Sequence, residues 1–382
     1  MTPRWNLDAL TRPPKIFPAP GLEADGVRAI FYEGLPWKGR PTRVFAYVGL
    51  PPVGPGAKAP GMVLVHGGGG TAFADWVRLW TARGYAAIAM DTCGCTAGGE
   101  HMNRPRHEHG GPPGWGGYDQ LDQPLEDQWM YHAVADVLLA RAVLAALPEV
   151  HADRIGLTGI SWGGILACIV AGVDPHLRFV APVYGCGFLD QGRLATDLQS
   201  KIGPEAAGRW FDLWDPVHYL PRASAPMLWI VGTNDPAFPL PAMQKSYRLP
   251  TGPRTLSIQV GMEHSQPAGA APEEIRGFAD HVLKGGPPLA RFTGQGTEGG
   301  DAWATFSASV RAVRAEFNFT ADQGPWLDRA WRVRQAVLDP AAGRASTALP
   351  REATAFFLNV TDDRGCVTST EHVALDECRR PD

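Results

Sequence analysis

"TGISWGG" occupies Thr158–Gly164 and sets one serine between two glycines. The run before it, "RIGLTGI", has the apolar character of a buried strand. The run after it, "GGILACIVAG", reads as an apolar helix. A serine at a strand–turn–helix junction matches the G-x-S-x-G nucleophile elbow. The glycines let the backbone pass close to its neighbours. The hydroxyl then stands at a helix N-terminus, where the dipole favours developing negative charge. The competing reading is a helix N-cap serine with glycines for packing. The choice rests on whether the rest of the chain supplies a base, an acid and an oxyanion hole in the right order.

Short strand-like runs alternate with longer helical ones from about residue 25 to 285. The strand candidates are "VRAIFYEG", "TRVFAYVGLP", "GMVLVHG", "YAAIAMD", "RIGLTGIS", "FVAPVYG", "PMLWIVGTND" and "TLSIQVG". From the third onward they are apolar on both faces, as parallel strands covered by helices are. Between them lie "FADWVRLWTARG", "QWMYHAVADVLLARAVLAAL" and "EEIRGFADHVLKGG". The second shows apolar residues at amphipathic spacing, and the first and third stop at glycine. The expected fold class is α/β, a doubly wound and mostly parallel sheet of about eight strands. The first two runs have no helix between them and predict an antiparallel edge.

Two segments interrupt the alternation, at about 92–127 and 185–224. The first is polar and rich in glycine, proline and histidine; the second reads as a short helical lid. Both follow strand carboxyl ends, the edge where open α/β sheets bind ligands. After "GGPPLARFTGQGTEGG" the pattern changes to five strand-like runs with turn residues and no helices. These predict a small β-sandwich. The expected organisation is an N-terminal extension over 1–24, a catalytic domain over 25–297 and the sandwich over 298–382.

The chain has 382 residues and a net charge of −4, so no basic footprint points to nucleic acid. No apolar run is long enough for a membrane span. The N-terminus lacks a signal-peptide core, so the chain reads as cytoplasmic, although a secreted form trimmed of its signal would look the same. Self-association into a homo-oligomer is compatible with this composition. The six cysteines make no zinc-like pairs, and "HMNRPRHEH" at 101–109 has no metal-ligand spacing. No metal or organic cofactor is expected. Cys366 and Cys378 lie close enough in sequence to be a candidate pair.

A serine nucleophile needs a base, and the base needs an orienting carboxylate. With this elbow the chain order is serine, acid, histidine. Asp235 follows the strand "MLWIVGTN", and His264 follows "TLSIQVGM". Both fall at the carboxyl edge of the expected sheet. The alternatives fit worse. His281 lies inside a helix, His176 and His218 precede the acid, and Asp212 and Asp215 lie in the lid. The oxyanion hole needs two backbone N–H groups. One is assigned to Trp162, the residue after the nucleophile. The other is assigned to the "HGGGG" loop, to Gly68 first and Gly69 next. His66 in that loop reads as structural. Trp115 and Trp210 lie in the two insertions and Trp129 just after the first, and their rings would suit stacking on sugars. They serve equally well as core anchors.

"LVHGGGGTAFADWVRLWTARGYAAIAMDTCG", "GLTGISWGGILACIVAGVD" and "PVYGCGFL" resemble bacterial acetylxylan-esterase-like and dienelactone-hydrolase-like α/β-hydrolases. The resemblance spans about residues 25–290. It implies hydrolysis of carboxylic esters, often deacetylation of carbohydrates, with Ser161, Asp235 and His264 in the matching positions. The partner it implies is a small-molecule or saccharide ester. Dienelactone hydrolases typically carry cysteine where this chain has Ser161, which argues against a dienelactone substrate. The rival reading is a serine peptidase of the prolyl-oligopeptidase or aminopeptidase type, which uses the same three residues in the same order. A hydrolase-like binding protein is the non-enzymatic alternative.

Overall fold

The computed structural model describes residues 5–375. Nine strands form the main sheet: β1 (Ile16–Pro18), β2 (Arg28–Glu33), β3 (Arg43–Gly49), β4 (Ala59–Val65), β5 (Ala86–Met90), β6 (Val150–Ile160), β7 (Val180–Val183), β8 (Met227–Gly232) and β9 (Arg254–Gln259). Their order is β1-β2-β3-β5-β4-β6-β7-β8-β9. The pairs from β1 to β3, and β3 with β5, are antiparallel; all pairs from β5 to β9 are parallel. Strands β4, β5 and β8 are buried at every residue. Helices cover both faces, so side chains on either side meet apolar neighbours.

Two details differ from the sequence reading. Residues 5–24 join the main body. Strand β1 extends the sheet, and Trp5 stacks on Tyr131 at 5.2 Å while its Nε1–H donates to the Tyr131 carbonyl. The helix Trp129–Ala145, read as amphipathic, is buried all round, with only Tyr131 and Ala145 short of full burial. One side meets the sheet, and the N-terminal segment and the lid cover the rest. Trp214 of the lid donates its Nε1–H to Gln128, at the start of this helix.

The C-terminal region is a sandwich of two antiparallel sheets. Its strands are β10 (Arg291–Glu298), β11 (Asp301–Ser307), β12 (Ala312–Thr320), β13 (Trp331–Gln335), β14 (Val337–Asp339), β15 (Arg344–Ala348), β16 (Ala355–Asp362), β17 (Val367–Ser369) and β18 (Val373–Ala374). One sheet runs β10-β11-β15-β14 and the other β13-β12-β16-β17, with β18 on β16. Ala302, Ala304 and Phe306 from the first face Phe317, Phe319, Phe356 and Leu358 from the second. The sandwich begins earlier than residue 298, because Arg291–Glu298 pairs with β11. Its glycines make the segment look like a linker. Gly296 is there for room, since a Cβ would sit 3.1 Å from the Trp303 ring. Cys366 is buried, and Cys93, Cys95, Cys168 and Cys186 are free buried thiols. Cys378 lies outside the described residues, and its pairing with Cys366 lies there too.

The two bodies share packing. Phe357 and Cys366 of the sandwich belong to the main core. Ser369 accepts the Ile258 N–H, and Asn359 donates to the Ile258 carbonyl, both on β9. No helix among the described residues is long and apolar enough to cross a membrane.

Candidate active site

Ser161 sits between β6 and the helix Trp162–Ala171 with φ 58° and ψ −115°. That positive φ is strained for a residue with a side chain. The flanking glycines explain how the chain tolerates the turn. A Cβ on Gly163 would lie 2.1 Å from the Val65 carbonyl oxygen, and one on Gly159 would lie 2.0 Å from the Gly163 oxygen. Only glycine lets the elbow close against β4. The Ser161 N–H donates to Val183 of β7 at 3.0 Å. The elbow is therefore held by strands on both sides.

His264 and Asp235 reach Ser161 from the carboxyl ends of β9 and β8. His264 Nε2 lies 2.8 Å from Ser161 Oγ, and Nδ1 lies 2.8 Å from Asp235 Oδ2. An ionised carboxylate only accepts, so Nδ1–H donates to it and Nε2 is free to accept the serine proton. The other carboxylate oxygen, Oδ1, accepts the N–H groups of Ala237 and Phe238 at 2.9 and 2.8 Å. Asp235 is 4% exposed, so these bonds satisfy a buried charge. The alternative carboxylate Asp215 is a structural residue, accepting the N–H groups of Phe188, Leu189 and Val217.

Two aromatic residues that sequence reasoning missed fix the imidazole plane. The Tyr184 ring centroid lies 4.4 Å from that of His264, and the Tyr184 hydroxyl donates to the Ser265 carbonyl. The Phe238 ring lies near-parallel to the imidazole, with centroids 6.2 Å apart and planes at 15°. The quoted "PVYG" contains Tyr184, but nothing in its pattern marks a contact with a histidine far along the chain.

The "HGGGG" loop divides its labour. His66 is buried; Thr92 N–H donates to its Nε2 at 3.1 Å, so its Nδ1–H donates to the Gly67 carbonyl at 2.8 Å. Burial holds the His66 pKa below its ordinary value, which keeps the ring neutral. This pins the loop beside the elbow. A Cβ on Gly67 would lie 3.2 Å from Ser161 Cβ, and one on Gly68 2.8 Å from the Trp162 ring. Among the described residues, neither the Gly68 nor the Trp162 N–H donates to a backbone acceptor. Gly69 turns away with φ 72°, and its carbonyl accepts the Met102 N–H. Gly69 thus secures the 92–127 insertion through its carbonyl, and its N–H makes no backbone bond among the described residues.

The insertions enclose Trp162. Its ring lies 5.7 Å from Trp129, 6.2 Å from Trp210 and 6.3 Å from Tyr118. Trp129 and Trp210 are fully buried, and their Nε1–H groups donate to the Thr92 and Gly116 carbonyls at 2.7 Å. They offer no free ring face to a sugar, which corrects the stacking role considered for them. They anchor the insertions. Trp115 is half-buried, 5.9 Å from His66, and lines a cavity of 140 Å³ with Gly69, Gly70 and Met102.

This geometry suits acyl transfer, with a nucleophile, an oriented base and N–H groups without backbone partners brought together at the carboxyl edge of the sheet. The comparisons with known proteins point to the same chemistry. The model of the acetyl xylan esterase family (AXE1) matches residues 30–221, a span that includes Ser161 and ends before Asp235 and His264. An acetyl xylan esterase from Paenibacillus sp. R4 superposes with a TM-score of 0.57 at 22% identity, over 73% of this chain and 92% of its own. Acetyl xylan esterase 1 from Thermoanaerobacterium sp. JW/SL YS485 gives 0.55 at 19% identity, over 73% and 90%. A puromycin-hydrolyzing peptidase from Mycobacterium tuberculosis gives 0.51 at 21%, over 69% and 41%. At these identities the superpositions establish the α/β-hydrolase fold. No curated protein matches by sequence.

Proposed function

Because the chain belongs to the acetyl xylan esterase family and is a carboxylic ester hydrolase, we propose that it removes short acyl groups, chiefly acetyl, from carbohydrate esters through Ser161, His264 and Asp235. The observation that carries this reading is the unbroken line of two 2.8 Å contacts from Ser161 through His264 to Asp235.

In the proposed cycle, Ser161 Oγ attacks the ester carbonyl carbon as its proton passes to His264 Nε2. The carbonyl oxygen becomes an oxyanion facing the Trp162 and Gly68 N–H groups. The intermediate collapses, the C–O bond to the sugar breaks, and His264 returns the proton to the leaving alcohol. Water then gives a proton to His264 and attacks the acyl-serine; the second intermediate collapses, the bond to Ser161 Oγ breaks, and His264 returns that proton to Oγ as the acid leaves. Asp235 holds the imidazole tautomer and stabilises its charged form throughout. A short acyl group is favoured by the match to the acetyl xylan esterase family.

The test is hydrolysis of p-nitrophenyl acetate, butyrate and octanoate, beside an aminoacyl p-nitroanilide, by wild type and Ser161→Ala. The expected result is acetate turnover that falls with acyl length. The Ser161→Ala variant loses on the order of 10⁴-fold or more. Ser161-dependent anilide cleavage exceeding that of acetate would replace the esterase with a peptidase.

A further inference from the structure

Among its contacts with the main body, the sandwich hydrogen-bonds Asn234, the immediate neighbour of Asp235. Its Nδ2 group donates to two sandwich carbonyls, Leu327 and Arg329, both at 2.8 Å. Its Oδ1 accepts the Thr233 hydroxyl at 2.7 Å, and the Thr233 oxygen accepts the Gly261 N–H at 3.1 Å. Gly261 begins the loop that carries His264. One chain of hydrogen bonds therefore runs from the sandwich through the acid loop to the base loop.

The sandwich end of this chain is braced. The Arg329 guanidinium lies 3.9 Å from the Trp326 ring and donates to the Gly324 carbonyl. Trp326 stacks with Trp331 at 6.3 Å, and Trp331 packs on Phe357 in the main core. Ala330 N–H donates to Asp322 at 2.6 Å. The loop thus presents two carbonyls from a fixed frame, and both amide hydrogens of Asn234 are spent on them. Few residue types bond in this way: a short side chain with two donors on one atom and an acceptor on the other.

We propose that Asn234 is a positioning residue through which the sandwich aligns Asp235 and His264 with Ser161. This rests on the hydrolase reading above. The sandwich then contributes to turnover rather than to substrate capture. Its effect falls on kcat, because the contact is on the acid loop and leaves the ester's binding surface alone. A displacement of about 1 Å in a catalytic group costs on the order of 100-fold.

The experiment uses the full chain with p-nitrophenyl acetate and a fluorophosphonate that labels active serines. The variants are Asn234→Ala, Asn234→Asp and Asn234→Ser, beside wild type, Ser161→Ala and Gln244→Ala. Asn234→Asp keeps size and the acceptor for Thr233 but turns a carboxylate onto two carbonyl oxygens. Asn234→Ser keeps one donor. Gln244→Ala removes a different bond between the two bodies, to the His372 carbonyl. The expected result is that alanine and aspartate lower kcat 10- to 100-fold, on the order set by misplacement, with KM unchanged. Serine labelling slows in parallel, Asn234→Ser recovers part of the rate, and Gln244→Ala keeps the wild-type kcat at a similar melting temperature. Wild-type kcat in Asn234→Asp, or an equal loss in Gln244→Ala, overturns the positioning role and leaves the hydrolase reading intact. Turnover that survives Ser161→Ala overturns that reading and the bridge with it.

Discussion

The parallel centre of the main sheet and the C-terminal sandwich are both β-structure, yet they solve different problems. Strand β4 is buried at all seven residues, whereas β11 alternates between exposed and buried positions along its length. Two-sided burial leaves no slack. The loops at the ends of β4, β6, β8 and β9, which carry the residues proposed for catalysis, start from fixed points, which suits a site that must hold hydrogen bonds to tenths of an ångström. One-sided burial, as in β11, is more forgiving; β16 is buried at all eight residues because its outer face packs on the main body, and the sandwich reaches the acid loop through the side chain of Asn234.

The sharpest way to break this contrast is to add one methyl group to each region. Gly163→Ala places a Cβ 2.1 Å from the Val65 oxygen, with backbone on all sides. The expected cost is at least about 3 kcal/mol, with loss of Ser161 labelling. Gly299→Ala, in the β10–β11 hairpin, has φ 59° but open space around it. Its cost is the left-handed backbone alone, about 1–2 kcal/mol, with turnover retained. Chemical denaturation and acetate assays check both. Equal costs would remove the distinction between the regions.

A core deletion in the sandwich tests how far its stability and its catalytic contact separate. Phe317→Ala, at a fully buried site, is expected to cost about 3–5 kcal/mol. While the protein stays folded, kcat should hold within about twofold, since the substitution removes neither Asn234 bond, to Leu327 or to Arg329. A large loss of kcat at temperatures well below melting would mean that the sandwich core, and not the Asn234 contact alone, governs the alignment.

A smaller effect compares the two regions through acid. Burial lowers the pKa of His132, in the main body, to about 4, and that of His372, in the sandwich, to about 4. The unfolded chain titrates nearer 6.5. As pH falls below about 6.5 the unfolded state takes up protons first. Stability is full above that point and is lost as pH falls toward 4. Each histidine contributes up to about 3 kcal/mol of that loss. His132→Asn should flatten the fall between pH 7 and pH 4.5 measured by denaturation. A profile unchanged by the substitution would assign the acid loss to other groups.

Much of this was legible because strongly periodic or glycine-marked segments carry their own signals. The eight apolar runs appear as β2–β9, and Ser161 was marked by the two glycines that permit its turn. Asp235 and His264 were readable as an acid and a histidine just past strand ends, in the chain order the elbow requires. What escaped has physical reasons. Strand β10 hides behind glycines that make room for Trp303. The helix Trp129–Ala145 owes its full burial to an N-terminal segment and a lid that no local pattern announces. Tyr184, Phe238 and Asn234 act through partners far away in the chain. Asn234 in particular sits in "NDP", which looks like any turn until Leu327 and Arg329 are brought beside it. Trp129 and Trp210 show the opposite error, since a ring's sequence position does not say which way it faces.

The most direct test of the account is to look for the covalent intermediate. Wild type and Ser161→Ala are mixed with p-nitrophenyl acetate, quenched in acid within the first turnover and digested for mass spectrometry. The account predicts an acetyl group on the wild-type peptide that contains Ser161, formed as fast as p-nitrophenol appears, and no acetyl and no turnover in the variant. Acetate turnover with no acetyl on Ser161, or turnover undiminished in Ser161→Ala, would contradict it.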